Sequence, residues 1–152
     1  MLIRSAQESD LPGIIEICNS AIENHFTANP GTSDETCKSY LTPKFKTWLA
    51  FGDGEIVGIG VVDMENQNIP ELIVKPGQEE YECENKLQEI LLDWFYSSRN
   101  EDLSLETDGR RQAEEFFLSR GWVRTGISEH GQTRFKMTRK VWEASRLKYE
   151  AE

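Results

Sequence analysis

PELIVKPGQEEYECENKLQEILLDWFYSSRNEDLSLE, residues Pro70 to Glu106, is the stretch that decides the fold. Pro70 to Lys75 is a short run rich in branched residues, closed by Pro76-Gly77, and reads as a strand. From Glu82 to Tyr96 the apolar residues Leu87, Ile90, Leu91, Trp94 and Phe95 recur at helical spacing and predict one amphipathic helix. Leu103 to Glu106 then reads as a second strand. A strand, a helix and a strand of this length form a crossover, which makes the two strands parallel.

The flanks read as antiparallel hairpins and helices. Leu2-Ile3-Arg4 is a short first strand, and Ser9-Asp10-Leu11-Pro12 carries a capping residue and a proline at a helix start. Leu11, Ile14, Ile15, Cys18, Ala21 and Ile22 give that helix its buried stripe. Ser33-Asp34-Glu35 opens a second, weaker helix that ends near Thr42-Pro43. Thr47 to Phe51 and Glu55 to Met64 are strands joined by Gly52-Asp53-Gly54, where Asp-Gly supplies positive φ angles. Downstream, Arg111 to Arg120 is a helix ended by Gly121, followed by strands over Trp122 to Ile127 and Thr133 to Val141. Trp142 to Glu152 is either a last helix or a frayed tail. The expectation is one domain over 1–152, with its core in 1–141. Its fold class is α/β (α+β): a mixed, mostly antiparallel sheet of about seven strands flanked by about four helices.

Composition narrows function by exclusion. A formal charge of −10 disfavours nucleic acid, whose phosphates need a basic surface. No apolar run approaches a membrane span, and the first residues do not resemble a secretory signal, so a cytoplasmic location is expected. Cys18, Cys37 and Cys83 fit neither a disulfide framework nor a zinc site, and no metal is expected.

Four strings in order resemble the GNAT superfamily of N-acetyltransferases along nearly the whole chain: IRSAQESDLPGIIEICNSAI (Ile3 to Ile22), DGEIVGIGVV (Asp53 to Val62), ELIVKP (Glu71 to Pro76) and LSLETDGRRQAEEFFLSRGWVRTG (Leu103 to Gly126). The resemblance implies acetyl-CoA as co-substrate and a primary amine or protein N-terminus as acceptor, and it is compatible with a homo-oligomer. In the family, V-x-P leads into V-x-P-x-x-(R/Q)-x-x-G-x-(G/A), whose backbone N–H groups hold the coenzyme pyrophosphate at a helix N-terminus. The matching stretch here is VKPGQEEYECENKL, with Glu79 at the Arg/Gln position, Gln78 one place away, and Glu82 and Glu84 in place of the two small residues. Glu79, Glu80, Glu82 and Glu84 crowd the helix start, which favours the helix but opposes an anion. Weak coenzyme binding is therefore expected.

The resemblance carries roles to particular residues. Glu71 matches a strand carboxylate able to deprotonate the acceptor amine, the alternative being a solvated strand residue. Ile73 and Val74 match backbone positions that polarise the thioester and pair with the pantetheine arm. Gln78, Glu79 and Glu80 fall in the coenzyme loop. Arg110 stands where many relatives have Asn and, with Arg111, is a substitute phosphate ligand or a solvated helix start. Phe117 takes the place of a Tyr that serves as general acid, and has no proton to give. His25 and Phe26 follow the first helix, where relatives shape the acceptor pocket; His130 sits in a polar turn. Two functions remain open: an N-acetyltransferase, or a GNAT-like domain that has lost the coenzyme and serves as a binding or assembly module.

Overall fold

Leu2–Ser5 (β1) opens a seven-stranded sheet in a computed structural model that describes residues 1–20, 26–27, 32–77, 80–109 and 111–151. Side chains at 80–81, 111–112 and 147–151 fall outside this description. The other strands are Phe45–Gly52 (β2), Glu55–Asp63 (β3), Asn68–Val74 (β4), Leu103–Thr107 (β5), Val123–Ile127 (β6) and Thr133–Met137 (β7). Their spatial order is β1-β2-β3-β4-β5-β7-β6, antiparallel throughout except for β4 and β5. Asp53 and Gly54 take positive φ at the β2–β3 turn, as an Asp-Gly hairpin requires.

Five α-helices are present among the described residues: Leu11–Cys18 (α1), Asp34–Ser39 (α2), Glu80–Tyr96 (α3), Arg111–Ser119 (α4) and Arg139–Ala151 (α5). Ser33 caps α2 by accepting the Thr36 N–H at 3.2 Å. One face of the sheet packs Leu49, Ile59, Val61 and Ile73 against Ile14, Ile17 and Cys18 of α1 and Cys37 of α2. The opposite face packs Trp48, Leu72, Val74, Leu105 and Phe135 against Cys83, Leu87, Leu91 and Phe95 of α3 and Phe116 and Phe117 of α4. Gly58 on β3 lets α3 approach: a Cβ there would stand 3.0 Å from Cys83 Sγ and Leu87 Cδ1.

Two sequence expectations need correction, and one open alternative closes. The last strand stops at Met137, not Val141, because Thr138 Oγ1 accepts the Val141 N–H and caps α5. The tail is therefore a docked helix: Trp142 stacks on Tyr96 at 5.5 Å and donates to Asp93, and Arg139 donates to the carbonyls of Tyr96 and Arg99. Trp94, expected in the core, is 37% exposed and lies edge-on against Trp48, while its neighbour Phe95 is fully buried.

Candidate active site

The site grows from the one parallel pair. β4 and β5 share a single register point, Asn68 with Ser104, where Ser104 donates its N–H to the Gln67 carbonyl at 3.0 Å. The sequence expectation begins this strand at Pro70, but the pairing lies before it, and the strands part after Asn68, leaving a gap toward their C-terminal ends. Lys75 donates its N–H to Val57 on β3. Backbone groups of a strand point alternately to its two neighbours. Ile73 and Glu71 therefore turn their N–H and C=O groups to β3, while Leu72 and Val74 turn theirs to the gap. Of the two backbone positions expected to meet a pantetheine arm, Val74 faces the gap and Ile73 does not. Leu72 is its partner there, and strand alternation alone could have named it.

Side chains alternate in the same way. Leu72 and Val74 point to the α3/α4 face, Glu71 and Ile73 to the α1/α2 face. Glu71 is not a solvated strand residue: it is 2% exposed, and its Oε1 accepts hydrogen bonds from Tyr40 Oη and Thr32 Oγ1, both at 2.9 Å. A buried carboxylate is tolerated only with such donors. Burial, reinforced by the Glu71 charge, keeps the Tyr40 phenol and the Cys18 thiol protonated far above their ordinary ranges. Cys37 is raised as well, chiefly by burial. The three cysteines are free thiols, all buried. Tyr40 and Thr32 carry no sequence signal that marks them as partners of Glu71.

Across the gap, α4 presents Phe116, whose ring meets that of Phe26 at 5.3 Å. The Phe26 N–H donates to the Leu72 carbonyl at 2.8 Å, and Thr27 Oγ1 to the Pro70 carbonyl at 3.1 Å. Phe117, at the expected general-acid position, is wholly buried against Trp122 and Phe135 and belongs to the core.

The acidic crowd at the start of α3 divides. Glu82 is exposed and paired with Lys86 at 3.0 Å. Glu84 is fully buried on the side of α4. Its Oε1 accepts from Gln88 Nε2 (2.9 Å), and Gln88 Oε1 accepts from Trp122 Nε1 (2.8 Å). Its Oε2 has no hydrogen-bond partner among the described residues. Burial pushes the Glu84 carboxyl up to about 8, against the opposing pull of Gln88 and Arg120, so at neutral pH it is mostly uncharged. Glu84 thus fills space, but it does not repel an anion as its sequence position suggests. Gln78, Glu79, Arg110 and His25 lie outside the described residues, as do the Glu80 and Arg111 side chains. Among the described residues no group of His, Cys, Asp and Glu is disposed to hold a metal ion, and no helix is long and apolar enough to cross a membrane.

No protein-family model matches the chain, and no curated protein matches it in sequence. Solved structures do. Aminoglycoside 6'-N-acetyltransferase from Enterococcus faecium superposes with a TM-score of 0.75 at 13% identity, covering 91% of this chain and 97% of that one. The ribosomal-protein-S18-alanine N-acetyltransferase from Escherichia coli gives 0.70 at 16% identity, with 90% of each chain covered. Aminoglycoside acetyltransferase AAC(6')-Ib, solved in complex with coenzyme A, gives 0.68 at 17% identity over 95% of this chain and 98% of that one. The fold of this chain is thus shared with solved N-acetyltransferases over nearly their whole length.

Proposed function

We propose that this chain is an N-acetyltransferase that moves an acetyl group from acetyl-CoA to a primary amine, on a small molecule or a protein N-terminus. The observation that carries the reading is the gap beyond Asn68, with the Leu72 and Val74 backbone on one side and the buried Glu71 carboxylate on the opposite face of the same strand. Such an opening lets a donor on the α3/α4 face meet an acceptor on the α1/α2 face. The Val74 N–H and C=O groups suit a pantetheine arm, since they are backbone groups turned to the gap and need no particular side chain. Acetyl-CoA supplies an activated acyl thioester. Glu71 takes the proton of the acceptor ammonium, directly or through water, and Tyr40 and Thr32 hold the carboxylate in place.

Affinity for acetyl-CoA is weak in this reading, about 100 µM or above. The reason is steric: Glu84 places a buried side chain at a position the family keeps small, and Phe26 reaches from β4 to Phe116 of α4. The same two side chains favour a second reading, a GNAT-like domain that no longer binds the coenzyme and serves as a binding or assembly module. Calorimetry with acetyl-CoA, alongside thiol release in the presence of a panel of primary amines, separates them. Weak binding with amine-dependent thiol release supports the enzyme; no heat and no thiol at millimolar acetyl-CoA removes it.

A further inference from the structure

We propose that Phe26 and Thr27 form a strap that closes the β4–β5 gap in this state and has to leave it before an acyl donor is admitted. The inference rests on the acetyltransferase reading above. The strap lies along the edge of β4 that β5 abandons. Its Phe26 N–H occupies the Leu72 carbonyl, and its Thr27 hydroxyl occupies the Pro70 carbonyl two residues earlier. In place of a strand, two residues from the α1–α2 connection bond two carbonyls of that edge. The Phe26 ring then reaches across to α4 and meets Phe116, whose ring also carries the Arg120 guanidinium at 3.6 Å from its centre. The bridge therefore runs from β4 to α4 over the opening. Thr27 is only 3% exposed, so the strap is seated in the fold and does not merely lie on its surface.

The same connection meets β4 a second time. Thr32, five residues after Thr27, donates its hydroxyl to Glu71 on the opposite face. A hydrogen-bond donor approaching the gap-facing carbonyl of Leu72 meets the Phe26 N–H already bonded there at 2.8 Å, which leaves it one lone pair of that oxygen. Among the described residues, the contacts to be broken include two hydrogen bonds, one aromatic pair and the packing of the Phe26 ring on the core. When the binding-competent form is a minor fraction, apparent affinity falls by that fraction, and weakening the closed form restores it.

The test uses the whole chain and coenzyme A as the probe, in the parent, Phe26→Ala and Thr27→Val. Calorimetry is paired with hydrogen exchange at the Phe26 amide of the parent. The amide is expected to be protected in the free chain and to lose protection as coenzyme A saturates. Phe26→Ala should bind about tenfold more tightly than the parent. Thr27→Val, which keeps the shape and loses one hydrogen bond, should gain about two- to fivefold and stands in if the alanine variant fails to fold. Coenzyme A binding with the Phe26 amide still protected, or with equal affinity in all three proteins, overturns the strap and leaves the acetyltransferase reading intact. No binding in any of the three overturns both, since opening the gap then admits nothing.

Discussion

Glu84→Gln is expected to stabilise the protein, and more so as the pH rises. The glutamate is fully buried, one oxygen bonded to Gln88 and the other without a partner among the described residues, and its carboxyl titrates near 8 against an ordinary 4.5. Below pH 4.5 the group is protonated in folded and unfolded chains alike and costs nothing. Between 4.5 and 8 the unfolded chain loses the proton while the folded chain keeps it, so the folded state binds more protons and stability falls as pH rises. Each pH unit in that window costs about 1.4 kcal/mol. The loss is about 3 kcal/mol at pH 7 and roughly 5 kcal/mol once both states are ionised, above pH 8. Glutamine has the same shape, can accept the same bond from Gln88, and does not titrate. Thermal melts of both proteins from pH 5.5 to 8.5 stay clear of the isoelectric point near 4.8. At about 2–4 °C per kcal/mol for a chain of this size, the variant should melt roughly 6–12 °C higher at pH 7, with a smaller gain at pH 5.5. Parallel curves would refute the reasoning. A variant less stable at pH 8 would show Glu84 ionised and paired with Arg120.

Other outcomes test the site and its supports. Glu71→Gln should lower turnover about 10²–10⁴-fold with little change in coenzyme affinity; equal turnover on every accepted amine removes Glu71 from the chemistry. Tyr40→Phe deletes one of the described donors to Glu71 Oε1 and should cost about 1–3 kcal/mol in a urea melt. A cost below about 0.5 kcal/mol would mean the hydroxyl is easily replaced, and would not fit a carboxylate that depends on it. Gly121→Ala should destabilise by about 1–3 kcal/mol, because φ there is +92° and the new Cβ would sit 2.8 Å from Val141 Cγ1. An unchanged melting temperature would show that α5 yields without cost.

The parts legible in the sequence are those set by short-range chemistry. Asp53-Gly54 dictates its hairpin, the stripe from Leu87 to Phe95 dictates α3, and a strand-helix-strand run dictates one parallel pair. The α5 start was also written locally, in Thr138, but the run up to Val141 reads as a strand until the cap is considered. Trp94 belongs to the helical stripe by spacing, yet sits at its edge, where packing against Trp48 and Lys46 of β2 decides how much of it is covered. The site was less legible because its partners come from far away. Glu71 is bonded by residues 39 and 31 positions upstream, both beside the weakest helix. Whether its carboxylate is solvated or buried depends on that helix lying over β4, which no local pattern states. The glutamates of α3 make the same point in reverse. Their spacing suggests a shared repulsion of anions, but the helix turns Glu82 to solvent and Glu84 inward, where burial removes its charge.

Glu71 and the gap are two faces of one strand, and the chain joins them through the α1–α2 connection. Phe26 and Thr27 bond two carbonyls on the open edge of β4, and Thr32 donates to the carboxylate behind it. The state that closes the gap is therefore also the state in which Glu71 is enclosed. A carboxylate 2% exposed touches no acceptor amine, so a base at this position acts only after something above it shifts. Thr32 lies on that connection and Tyr40 at the end of the helix it leads into, while Glu71 itself is fixed in β4 by the β3 register at Val61. Donor admission and base exposure thus make the same structural demand. A sheet opened by one diverging pair, with a single connection fastened to both faces of the strand at the opening, answers that demand without any motion of the sheet itself.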